Sequence, residues 1–199
     1  MVHDPDWQAM HRRLEAVSTI KVAQFEIGPP ITDDDRELLK VLGAAPLPKP
    51  VMSILEAANG VKLLWHGELA GRKIQGSLNI LPYVQAALRA GATETSAPLE
   101  GVLWDDEFPA KARNQLKEMT VFEAIAGRPG YLVYPATDRT ARLTLVENDR
   151  LQPLVPGFNT TAGLLALYAG ADGLREHLVH PDWEERLSKD AALAAVAAL

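Results

Sequence analysis

Residues 48–82 constrain the fold more than any other part of this chain. At their centre a helical pattern, Ile54-Leu55-Glu56-Ala57-Ala58, stops at Asn59-Gly60. Asn and Gly both tolerate the left-handed backbone that ends helices. The chain then leaves as an apolar strand, Val61-Lys62-Leu63-Leu64-Trp65, and a second strand over 77–81 is closed by Pro82. Between them, His66-Gly67-Glu68-Leu69-Ala70-Gly71-Arg72 reads as a hairpin loop. Asn59-Gly60 is thus a helix stop and Trp65 a core residue, so the unit marks a kind of fold rather than a site.

The flanking segments extend this pattern. Asp4-Pro5-Asp6 followed by Trp7, Met10, Leu14 and Val17 predicts a capped amphipathic helix, and Gly28-Pro29-Pro30 breaks the chain after it. Thr32 predicts an N-cap for a helix over 33–42, with Asp33, Asp34 and Asp35 at its positive end. A proline-rich connector over 44–50 leads into a helix over 51–58, where Pro50 suits a helix start. Helical character returns over 83–90 and 110–119, separated by a polar loop over 91–101. Strands are expected over 121–125, 130–134, 141–146 and 151–155, joined by tight turns that favour antiparallel pairing. A helix over 160–169 stopped by Gly170, a helix capped by Asp182 and an alanine-rich tail over 191–199 complete the chain. Strands do not alternate strictly with helices, so the fold class is α+β: a twisted, mainly antiparallel sheet with helices packed against it.

Composition narrows the function. The 199 residues, 47% of them hydrophobic, suffice for one buried core with extensions. The absence of cysteine excludes disulfides and thiolate metal sites. No apolar run approaches the roughly 20 residues of a membrane span. The polar, acidic N-terminus lacks the regions of a signal peptide, which makes the cytoplasm the expected compartment. A net charge of −6 with scattered basic residues argues against nucleic acid as a ligand. It suits either a solubility role or a basic partner.

These segments resemble the SUKH superfamily, the Smi/Knr-like domains. The resemblance lies in the order of features over 31–172: a helix over 33–42, Leu47-Pro48-Lys49-Pro50, the helix–Asn-Gly–strand unit over 55–65, the strand Gly76-Ser77-Leu78-Asn79-Ile80-Leu81, the acidic-aromatic segment Trp104-Asp105-Asp106, paired strands over 131–146 and a closing helix over 158–168. Residues 1–30 then form an N-terminal helical extension and 173–199 a C-terminal helical tail. The resemblance implies a non-enzymatic protein-interaction domain. Many bacterial members look like immunity proteins that bind and neutralise a cognate toxin, while others act in signalling scaffolds.

Two acidic segments are candidate partner surfaces. In Trp104-Asp105-Asp106-Glu107-Phe108 the aromatics can anchor a partner while the carboxylates steer it; equally, the aromatics can be core and the acids a helix cap. Asp33, Asp34 and Asp35 can face a basic partner or serve only the helix dipole. His177 and His180, with Asp182, Glu184 and Glu185 nearby, are the residues of the alternative reading, a small metal-dependent hydrolase. Pro181 puts the two histidines astride a helix boundary, which favours a solvated pair instead. Ser18, Ser53, Ser77, Ser96 and Ser188 lie in no Gly-x-Ser-x-Gly elbow, and no Walker or Gly-x-Gly-x-x-Gly loop is present. No catalytic residue and no cofactor is expected.

Overall fold

A computed structural model describes residues 5–41, 46–89, 110–126, 130–148 and 150–199. The expected loop over 91–101 and the segment Trp104-Asp105-Asp106-Glu107 lie outside them. Among the described residues the chain forms α1 (Trp7–Glu15), β1 (Ile20–Ile27), α2 (Asp33–Val41), α3 (Lys49–Ala57), β2 (Val61–Leu69), β3 (Arg72–Ile80) and α4 (Tyr83–Arg89). Then follow α5 (Ala110–Leu116), β4 (Met119–Ala124), β5 (Gly130–Pro135), β6 (Thr144–Glu147), β7 (Arg150–Pro153), α6 (Phe158–Leu167), α7 (Leu174–His177), α8 (Trp183–Lys189) and α9 (Ala191–Ala197). The fold is α+β. Its seven strands make one open antiparallel sheet, and their spatial order is their order in the chain.

The β2–β3 hairpin is longer than its glycines suggest. The pairing runs unbroken from Val61↔Ile80 to Leu69↔Arg72. Only Ala70 and Gly71 turn, both with positive φ (50° and 72°), the backbone of a two-residue hairpin turn. The segment expected as a loop over 66–72 is therefore mostly strand. Val61, Leu63 and Trp65 are buried on one face, while Lys62, Leu64 and His66 are exposed on the other.

Residues 1–30, expected as a helical extension, hold α1 and also the edge strand β1. Asp6 caps α1 by accepting a hydrogen bond from the Ala9 N–H at 2.7 Å. In β1 a bulge between Val22 and Gln24 shifts the register against β2 by one residue. Ile20 and Val22 before it, and Phe25 and Ile27 after it, then all pack against the core.

Asn59-Gly60 also does something different from the expected cap. The α3 helix ends at Ala57, and Ala58 is already extended. Gly60 alone takes positive φ, at 89°. Asn59 Oδ1 instead accepts the Tyr83 N–H at 2.6 Å, capping the first turn of α4 on the far side of the hairpin.

The sheet has two halves. Between β3 and β4 the only register pair is Ile80↔Glu123, extended by the Leu81 N–H to the Phe122 carbonyl at 3.1 Å. Further along, β3 turns its edge to the segment after α6: the Ser77 N–H donates to the Gly170 carbonyl, and the Asp172 N–H to the Gln75 carbonyl, each at 3.0 Å. Arg175 fills the fork between the halves. Its Nε donates to Glu123 Oε2 at 2.9 Å, its Nη2 to Glu123 Oε1 and to the Ser77 carbonyl at 2.9 Å, and its Nη1 to the Gly170 carbonyl at 3.3 Å. Both side chains are wholly buried. Beside them the buried Trp65 indole donates to the Ala169 carbonyl at 2.8 Å. One buried cluster runs from Trp7, Met10 and Leu14 through the sheet to Leu187, Leu193 and Val196, so both terminal segments share the core.

Candidate functional site

The triplet that opens α2 divides its labour. Thr32 and Asp35 cap the helix reciprocally: Thr32 Oγ1 accepts the Asp35 N–H at 3.2 Å, and Asp35 Oδ2 accepts the Thr32 N–H at 2.9 Å and its hydroxyl at 2.8 Å. The backbone bond first, and the hydroxyl bond after it, hold the Asp35 carboxyl below its ordinary value. Asp35 is therefore a capping residue. Asp33 and Asp34 point into solvent.

Helix geometry decides what lies beside them. At about 100° per residue, Asp33, Glu37, Val41, Asp34 and Leu38 fall in that angular order within an arc of about 140°. Leu39, the buried residue of α2, lies on the opposite side. Leu38 is 46% exposed and Val41 77%, so two large apolar side chains stand in water at i, i+3 spacing, framed by three carboxylates. Leaving them there forgoes roughly 1 kcal/mol or more each relative to burial. The cations on the flank are already engaged. Arg36 Nη2 donates to Glu56 Oε1 at 2.9 Å with its Nε 4.0 Å from Asp33, and Lys40 Nζ lies 3.2 Å from Glu37 Oε2. The helix presents a small apolar contact with negative surroundings. Such a surface can anchor a partner and attract a basic one.

The other residues singled out in the sequence do not join it. His177 Nε2 is 3.1 Å from Asp190 Oδ2, and Asp190 Oδ1 accepts the N–H groups of Ala192 and Leu193 at 3.0 and 3.1 Å, capping α9. Burial raises the Asp190 carboxyl, but the His177 bond and the two amides outweigh it, and the net effect is downward. His180 contributes its N–H to the His177 carbonyl at 3.1 Å. Asp182 precedes α8 without a side-chain cap and takes the Arg186 Nε at 2.8 Å instead. Among the described residues, no group of three or more His, Asp and Glu side chains could hold a metal ion.

A second surface lies on the β2–β3 hairpin, whose Glu68 region the sequence marks as exposed but without a feature that selects a partner. The outward residues of β2 and β3 form cross-strand pairs, His66↔Gln75 and Glu68↔Lys73, with Leu64 41% exposed next to them. At the hairpin end Thr19, His66, Glu68, Lys73, Gln75 and Asp172 line an open groove of about 730 Å³. Gln75 Nε2 donates to Asp172 Oδ2 at 2.8 Å across it. Its charges are mixed and largely cancel, unlike those of α2. The polar alternation Lys62, His66, Glu68 was its signal, obscured by reading 66–72 as a loop. Compared with known proteins, the chain matches no family model, no curated protein and no solved structure.

Proposed function

We propose that the chain is a cytoplasmic, non-enzymatic protein-interaction domain of SUKH type, and that it acts as an immunity protein that binds and neutralises a cognate toxin through the outer face of α2. The observation that carries the reading is the exposed pair Leu38 and Val41 set among Asp33, Asp34 and Glu37 on a helix whose other side is fixed to the core. The ordered resemblance over 31–172 supports it, as does the meander that follows the helix–Asn-Gly–strand unit. Charge steering would favour a toxin with a basic surface. The hydrolase alternative gains nothing from this geometry, because the His177 imidazole is already bonded to Asp190. No helix among the described residues is long and apolar enough to cross a membrane.

Co-expression with the protein encoded by the adjacent gene tests the proposal. The chain is expected to protect cells from that protein and to co-purify with it. The double variant Asp34→Lys/Glu37→Lys and the variant Leu38→Ser should each weaken the complex at least tenfold while leaving thermal unfolding within about 2 °C of wild type, since surface changes of this kind cost little stability. Survival without a complex, or a complex indifferent to all three substitutions, would remove α2 from the reading. Cell death with no complex would end it.

A further inference from the structure

We infer that the segment 169–175 is a removable wedge, and that the sheet hinges at Ile80–Glu123 when it leaves. The inference concerns the seam alone and does not depend on the docking role of α2. Three bodies meet at the fork: the half formed by β1–β3, the half formed by β4–β7, and the segment itself. The two halves share a single register pair, so little of the ladder resists opening there. Ala169, Ala171 and Leu174 of the segment lie in the common apolar core, and the hydrogen bonds across the fork are added to that packing. The Trp65 indole and the Ser77 amide donate to carbonyls of the segment, its Asp172 amide donates back to Gln75, and Arg175 ties Glu123 of one half to the Ser77 carbonyl of the other.

Such a joint is close to balanced. Buried ions gain from each other but forgo hydration, and an opening that admits water restores that hydration to both at once. Apolar packing has no comparable compensation. The segment also carries backbone strain at Ala169, whose positive φ (49°) is unfavourable for a residue with a side chain. By contrast β5 and β6 are interior strands with buried residues throughout most of their length. Opening at the fork therefore uncovers the edge of β3 over 75–77 while the second half stays whole. A bare strand edge is a template for added strand pairing, so the wedge guards it.

Native-state hydrogen exchange on the wild-type chain in rising, sub-denaturing urea tests this. The amides of Ser77, Leu81 and Asp172 should open as one group, at least tenfold more often than those of Leu132 and Leu145. In the variant Glu123→Leu/Arg175→Met, which replaces the ion pair by apolar side chains, the gap should narrow, because those side chains regain nothing from water when the fork opens. If all five wild-type amides exchange only through global unfolding, the wedge does not exist. A gap that is unchanged or wider in the variant also overturns it, because the hydration of the ion pair would then not be what lets the fork open. Should the variant fail to fold, the wild-type measurement decides by itself.

Discussion

Gly76→Ala probes how tightly the fork is packed. A methyl group at position 76 would stand 2.5 Å from Trp65 Nε1, 2.8 Å from Cε2 and 2.9 Å from the Ala169 carbonyl oxygen. It would enter the hydrogen bond that joins Nε1 to that oxygen at 2.8 Å. Trp65 is fully buried and Ala169 is backbone-bound, so neither can move aside cheaply. Overpacking of this kind costs about 1–3 kcal/mol. Displacing the indole leaves the carbonyl without its donor, which costs about 1–3 kcal/mol more. Lower freedom in the unfolded chain offsets about 0.5–1 kcal/mol. The net expectation is about 1–5 kcal/mol, or roughly 2–20 °C in Tm for a chain of this size. Urea unfolding followed by far-ultraviolet circular dichroism measures it. Trp65→Phe supplies the control, since the smaller ring vacates the region that the methyl needs. In that background Gly76→Ala should cost at least about 1 kcal/mol less. A cost below about 0.5 kcal/mol in the wild-type background, or strict additivity of the two substitutions, would refute the packing argument.

Two further outcomes follow from caps. Asn59→Ala removes the acceptor of the Tyr83 N–H and should destabilise the chain by about 1 kcal/mol, read as a lower urea midpoint at unchanged slope; an unchanged midpoint would show that water replaces the amide without loss. The Asp190 carboxyl is held below its ordinary value, so its stabilising contribution is complete at neutral pH and is lost as the pH falls below about 4 and through the folded value. Exchange of the Ala192 and Leu193 amides, corrected for intrinsic rate, should lose protection there before β5 does, and Asp190→Ala should show that loss already at pH 7. Protection independent of pH would contradict the cap.

What the sequence made legible was local. The helix starts at Trp7 and Asp33, the meander over 130–153 and the stop at Gly170 all rest on neighbouring residues and emerged close to their expected bounds. β1 escaped because its bulge breaks the alternation: Ile20 and Val22 keep one phase, Phe25 and Ile27 the other. The length of β2 and β3 escaped because Gly67 and Gly71 look alike in sequence. Yet Gly71 turns, whereas Gly67 is needed where β1 begins, a methyl there falling 2.5 Å from the Thr19 carbonyl oxygen. At the candidate site, Asp33 and Asp34 were visible as charges, but the capping duty of Asp35 and the exposure of Leu38 and Val41 depend on which side of α2 meets the core. Glu123 and Arg175 gave no signal at all. Fifty-two residues apart, they become partners only through the tertiary fold.

The strand order carries a consequence for how the chain acquires its structure during synthesis. Each strand pairs with the next one to emerge, so six pairings can form in sequence without waiting for distant segments. The fork is the exception. Trp65 must wait for Ala169, 104 positions later, and the Ser77 carbonyl for Arg175, 98 positions later. Until then the edge of β3 over 75–77 is bare and Glu123 has no cation. A ribosome adding about 5–20 residues per second leaves that edge open for several seconds, and in that interval the nascent chain is most open to misassembly and to chaperones.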